Sequence, residues 1–295
     1  MTYLFKVFPI IVIHFFNDIA VAQTMSYIDK NGEENLCGPI EIEDLSSSPP
    51  YSVWFASSYN ELECSDDQRK WGEELKDVEV DIFLGTWCGD SKNYVPKFIH
   101  LWDTLGLDRQ ALNLIALYHT KEKYKQGPNA EEEGMDIHRV PTFIFKRNGI
   151  ELARLVERPR TSLERDIAQL AVGYPPAPSY RAAAYIQNLF RGKTVDEAYE
   201  EREGHQEAIY SLMGGSSELN TLGYVYLRAG KIKEALLCFW FNIHYFPYNP
   251  TVYKSHADAL LESGDTLHAI ADYKKAIQIK PDYGYAIRQL DLLVE

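Results

Sequence analysis

Hydrophobic and polar positions alternate differently in five stretches of the chain. Residues 1–22 open with "MTYLFKVFPIIVIHFF", in which Lys6 is the one positive charge and Pro9 and His14 interrupt an apolar run. Residues 23–70 are polar and punctuated ("NGEENLCGP", "DLSSSPP", "SSYNELECSDDQ"), which predicts a loop-rich lead-in with one or two short helices. Over 71–172 the pattern tightens. "VEVDIFL" and "LNLIALY" are strand-length, β-branched or aliphatic runs. "NYVPKFIHLWDTLG" between them places Tyr94, Phe98, Leu101, Trp102 and Leu105 at helical spacing. A polar loop, "EKYKQGPNAEEEGMD", leads to "PTFIFKRNG" and "ELARLVE", two strands joined at Asn148-Gly149, a hairpin turn pair. "TSLERDIAQLA" predicts a helix with Thr161 or Ser162 as N-cap and Glu164 closing a capping box. The order β-α-β-loop-β-β-α implies a mixed sheet with helices packed against it.

"GYPPAPSY" (173–180) is proline-rich and predicts a linker within a 173–215 segment that also holds helices. From 216 onward the periodicity is helical, and residues 216–249 align with 250–283 at a 34-residue period. Leu222 and Gly223 fall on His256 and Ala257, Gly230 on Gly264, Ala235 on Ala269, Phe239 on Tyr273 and Pro247 on Pro281. This pattern resembles tetratricopeptide repeats. Small residues let paired helices approach, aromatics fill the remaining space, glycine turns the chain and proline ends the second helix. "YAIRQLDLLVE" would then be a capping helix, giving two repeats plus a cap over 216–295.

With 295 residues the chain has room for two domains, and its net charge of -13 argues against nucleic acid and anionic membranes as partners. The first 22 residues have the layout of a secretory signal peptide, ending in Ala20 and Ala22 at A-x-A spacing. The apolar run is about 10 residues, well short of the ~20 that span a bilayer. A mature chain exported to the periplasm or secreted, with no membrane span after cleavage, is therefore expected.

The chemistry gathers at "GTWCGDS", residues 85–91, directly after the first strand. With Pro96 beyond it, "RVPT" at 139–142 and the Asn148-Gly149 turn, residues 71–172 resemble the thioredoxin family. The resemblance implies an α/β thioredoxin-like domain, followed here by an all-α tetratricopeptide array. It also implies that Cys88 sits at a helix N-terminus, where the dipole and free N–H groups favour a thiolate. Pro141 would be a cis-proline facing that cysteine. Trp87, Val140 and Thr142 would line the place where an extended protein or peptide client lies.

The sequence departs from the redox-active members at Ser91, which stands where they carry a second cysteine. A Cys88 thiolate can attack a disulfide, but a hydroxyl cannot resolve the product. Ser91 is expected to donate a hydrogen bond to the Cys88 sulfur. Asp90 places a negative charge beside the thiol, and Ile82 replaces the buried carboxylate many members carry six residues before the cysteine. Three readings remain open: a monothiol exchange centre using an external thiol, resolution by Cys37 or Cys64, or a non-catalytic interaction module built on a degenerate site. Cys37 and Cys64 could instead pair with each other, which would contribute about 3 kcal/mol by loop closure.

Cys238 reads as core filler, and His138, three residues before Pro141, as a loop residue that could lie near Cys88. The eight histidines show no metal-ligand spacing, and no phosphate-cradling glycine motif occurs, so no metal and no cofactor is expected.

Overall fold

The computed structural model describes residues 24–62 and 69–294. The N-terminal segment expected to direct export and Cys64 lie outside the described residues, and so does the expected Cys37–Cys64 pairing.

Six strands form one mixed sheet: β1 (Met25–Ile28), β2 (Glu34–Ile40), β3 (Glu79–Leu84), β4 (Leu112–Ala116), β5 (Thr142–Arg147) and β6 (Ile150–Val156), in the order β1-β2-β4-β3-β5-β6. Only β3 and β4 run parallel, with Ile82 opposite Leu114. The other neighbours are antiparallel. A parallel pair needs a crossover, and α4 (Gly89–Thr104) supplies it. The β5–β6 turn is as read: Asn148 (φ 54°) and Gly149 (φ 75°) are both left-handed, the geometry of a two-residue hairpin.

The expected loop-rich lead-in is corrected. Residues 24–62 hold the β1–β2 hairpin, α1 (Ile42–Ser46) and α2 (Pro49–Glu61), and β2 pairs with β4 inside the sheet. Asn31-Gly32, Glu33 and Glu34 around the turn and the Gly38-Pro39 pair on β2 mask the alternation of an edge hairpin, so the stretch reads as loop.

Alternation along β3 separates two faces. Val80, Ile82 and Leu84 join Leu36, Phe98, Trp102, Phe143 and Ile167 in the main core, covered by α2, α4 and α5 (Leu163–Ala171). Short α3 (Arg69–Gly72) precedes β3. Asp81 and Phe83 face the other way; Asp81 meets Asn113 and Lys146, and Phe83 joins a smaller cluster with Leu117, Ile137, Val140 and Ile144. That second face carries no helix between β4 and β5. The 117–141 loop closes over it instead.

At α5, Ser162 is the N-cap, its hydroxyl accepting from the Arg165 N–H. The expected box with Glu164 is replaced by Asp166, fully buried, whose carboxylate accepts from Arg160 N, Thr161 N and the Thr161 hydroxyl.

The rest of the chain is helical: α6 (Arg181–Gly192), α7 (Val195–Glu200), α8 (Gln206–Leu212), α9 (Ser216–Arg228), α10 (Ile232–Tyr245), α11 (Pro250–Ser263), α12 (Thr266–Ile279) and α13 (Gly284–Val294). α9 packs on α10 and α11 on α12. Gly223 lies under the Phe239 ring, where a Cβ would come within 2.4 Å of it. Gly264 ends α11 in the left-handed conformation that L-residues adopt at a cost. No helix among the described residues is long and apolar enough to cross a membrane.

The helical region docks on the 117–141 loop. Gln126 donates to the Arg228 carbonyl, Gln187 to the Asp136 carbonyl, and Arg139 to the Ser217 carbonyl, at 2.7, 2.9 and 2.9 Å. Arg191 pairs with Asp136, and the Tyr180 hydroxyl donates to Glu157.

Candidate functional site

The turn after β3 is built to hold Cys88 at the start of α4. Thr86, 2% exposed, accepts from Leu36 N–H at 3.1 Å and donates to the Asn35 side chain at 3.0 Å, pinning the turn to β2. Gly85 is required sterically, since a Cβ there would meet the Trp87 ring at 2.5 Å. Trp87 donates its indole N–H to the Leu117 carbonyl at 2.8 Å and stacks on His119 with ring centroids 4.1 Å apart.

Cys88 is the N-cap residue of α4, with φ -95° and ψ 124°, and is half-buried. Its S–H donates to the Val140 carbonyl at 3.3 Å. The Val140-Pro141 peptide is cis. Four of the residues singled out from sequence, Trp87, Cys88, Val140 and Pro141, thus meet in one place. Thr142 is near them in sequence, but it is 2% exposed and its hydroxyl donates inward to the Arg139 carbonyl at 2.8 Å.

Ser91 differs from expectation. It is 1% exposed, and its hydroxyl accepts from the Gly85 N–H at 3.1 Å, with no bond to the Cys88 sulfur. The side chain at i+3 of a helix starting in the turn points back along the axis and reaches the backbone of the preceding strand end before it reaches the sulfur. The Asp90 charge is offset by Arg158, whose Nε and Nη2 donate to the carboxylate at 3.0 and 3.2 Å.

Cys37 is 1% exposed on β2 and hydrogen-bonds the Tyr118 hydroxyl, which it pushes up to about 12 together with burial. Its neighbours are Tyr118 and Tyr27 rather than Cys88. Cys238 is fully buried, and desolvation drives its thiol far up.

Two residues of the loop are buried: His138, read from sequence as a loop residue that could lie near Cys88, and Lys125, which the sequence did not mark. His138 is buried at 4% exposure, is pulled down to about 3 by burial, and leaves its Nε2 without a hydrogen-bond partner. Lys125 is also 4% exposed, and its amine donates to the His138 carbonyl at 2.9 Å and to the Tyr124 hydroxyl at 3.0 Å. In a run of polar residues, a buried lysine carries no periodic signal. The chain reversal that brings Lys125 inward is visible only in three dimensions. Away from this site, a cavity of about 530 Å³ opens in the helical region, lined by Tyr199, Leu236, Trp240, His256 and Asp272 among others.

No protein-family model matches the chain, and no solved structure does. Two curated proteins are distantly similar. Thioredoxin H9 of Arabidopsis thaliana is 24% identical over 117 residues, covering 38% of this chain and 76% of the relative. Thioredoxin-like protein R548 of Acanthamoeba polyphaga mimivirus is 29% identical over 105 residues, covering 33% of this chain and 66% of the relative. Together with the mixed sheet and its flanking helices, these similarities fit a thioredoxin-like domain in the N-terminal part of the chain, followed by a helical C-terminal region.

Proposed function

We propose that the protein is an exported monothiol oxidoreductase that handles disulfides of protein clients through Cys88, and that its helical pairs are tetratricopeptide repeats that recruit or orient the client. The observation that carries this reading is the half-buried Cys88 sulfur at the N-terminus of α4, facing the cis Val140-Pro141 carbonyl. A helix N-terminus offers free N–H groups to a thiolate, whereas the S–H bond to the Val140 carbonyl favours the protonated thiol and is given up when the proton leaves.

The exchange conserves electrons. The Cys88 thiolate attacks one sulfur of a client disulfide, the Cys88–client S–S bond forms, and the client's other sulfur departs as thiolate. Ser91 cannot break the mixed disulfide, because its hydroxyl is no nucleophile for sulfur and is already engaged by Gly85. A thiol from outside the chain attacks next, restores the Cys88 thiolate and becomes oxidised in turn.

Capture of disulfide-linked clients by wild-type chain tests this. Cys88→Ala should capture none. Ser91→Cys should capture far fewer than wild type, because the second thiol resolves the adduct. Equal capture by wild type and Cys88→Ala would leave only an interaction module.

A further inference from the structure

Lys125 occupies a position that few lysines hold. Its backbone is left-handed, φ 57°, a conformation that L-residues rarely adopt. The segment around it is a tight reversal: Tyr118 N–H donates to the Gln126 carbonyl and Lys125 N–H to the Tyr118 carbonyl, both at 2.9 Å, with His119 bridged to Tyr124. This turn sends the Lys125 side chain under the loop that carries Val140-Pro141. A lysine that only filled space could reach solvent on its long stem; this one is sealed and spends its donors on Tyr124 and on the carbonyl of His138, two residues before Val140.

The surrounding charges leave Lys125 without a dedicated anion. Arg139 and Glu157 face it, but they pair with each other at 3.2 Å. His138 is neutral near pH 7, with burial holding it at about 3. Burial also pushes the Tyr124 hydroxyl up, so it stays protonated, and His119 on the same reversal brings no negative charge. Among the described residues, the remaining group near enough to interact with the Lys125 charge is Cys88. Burial pulls Lys125 down to about 7, with Arg139 adding to the fall and Glu157 and Cys88 opposing it.

We propose that Lys125 is a positioning residue for the Cys88 chemistry, an ammonium held beneath the cis-proline loop that favours the thiolate of Cys88 through space. The inference rests on the monothiol reading above. A neutral Lys125 amine keeps two N–H donors for its two oxygen partners and leaves a lone pair to take up a proton as Cys88 loses one. The cluster thus forms its thiolate–ammonium pair with no change in net charge.

The test is the rate of Cys88 alkylation by iodoacetamide in the full chain, followed by mass spectrometry at pH 6.5 and pH 9.5, for wild type, Lys125→Met and Lys125→Arg. Lys125→Met should slow alkylation about tenfold at pH 6.5, the equivalent of one unit of thiol ionisation. It should leave the rate at pH 9.5 unchanged, and Lys125→Arg should restore most of the loss. A structural role alone would change both pH values alike, so an unchanged ratio between them overturns the proposal. If Lys125→Met fails to fold, NMR of the Lys125 side chain decides. Its titration midpoint should fall in Cys88→Ala relative to wild type, and an identical midpoint overturns the coupling. A wild-type Cys88 inert at both pH values would instead defeat the exchange reading itself.

Discussion

Two buried charges, one in each half of the molecule, are treated in opposite ways. In the helical region Asp258, 8% exposed, receives the hydroxyls of Tyr224, Tyr273 and Tyr285 at 2.7, 2.7 and 3.2 Å, and Lys254 at 2.7 Å. These partners come from α9, α11, α12 and α13, so one carboxylate ties four helices together. Burial and the Asp258 charge keep the Tyr224 and Tyr273 hydroxyls protonated as donors. In the α/β part, Lys125 is as deeply buried but has only neutral oxygen partners. A fully satisfied network rigidifies and specifies packing. An incompletely compensated charge beside a nucleophile is the pattern found at reactive sites. The first charge serves architecture; the second is the one proposed above to serve Cys88.

That contrast can be broken most severely at Asp258. Asp258→Ala should destabilise the chain by about 3 kcal/mol, since it strands a half-buried lysine and three hydroxyls, and it should leave the rate of Cys88 alkylation in the still-folded protein unchanged. Chemical denaturation followed by circular dichroism, with alkylation in parallel, reads both. Gly223→Ala should cost about 2 kcal/mol by the same measurement, because its Cβ would meet the Phe239 ring at 2.4 Å and the helix pair would have to part.

A pH-dependent effect sharpens the other side. His138 is neutral in the fold down to about 3, against 6.5 ordinarily. Between those values the unfolded chain binds a proton the folded chain refuses, so stability is full above about pH 6.5 and is lost as pH falls toward 3. His138→Gln should therefore lose less melting temperature than wild type between pH 6.5 and pH 4. The smallest expected effect is at Arg158, two-thirds exposed, whose pairing with Asp90 is screened by solvent. Arg158→Ala should slow Cys88 alkylation about twofold at low ionic strength, and about 1 M salt should erase the difference.

What the sequence made legible follows the same division. The strand of residues 79–84, the Asn148-Gly149 hairpin and the meeting of Cys88 with Val140-Pro141 were readable because each rests on local pattern or on a short motif. The edge hairpin over 25–40 was not, since Asn31-Gly32, Glu33 and Glu34 make it look like loop and its pairing partner, β4, lies more than 70 residues away. Ser91 was identified as the residue beside Cys88, but its hydrogen bond went to Gly85, a choice set by helix start geometry rather than by residue type. Lys125 was invisible for a different reason. Lys121, Lys123 and Lys125 stand in one polar run, and only the reversal at 118–126 decides which of them is buried.

The most direct measurement compares cysteines within one native chain. Iodoacetamide at pH 7, quenched over time and read peptide by peptide, should modify Cys88 at least about tenfold faster than Cys37 and Cys238, which are sealed in β2 and α10. Cys88 staying as unreactive as those two until the chain is unfolded would contradict the account.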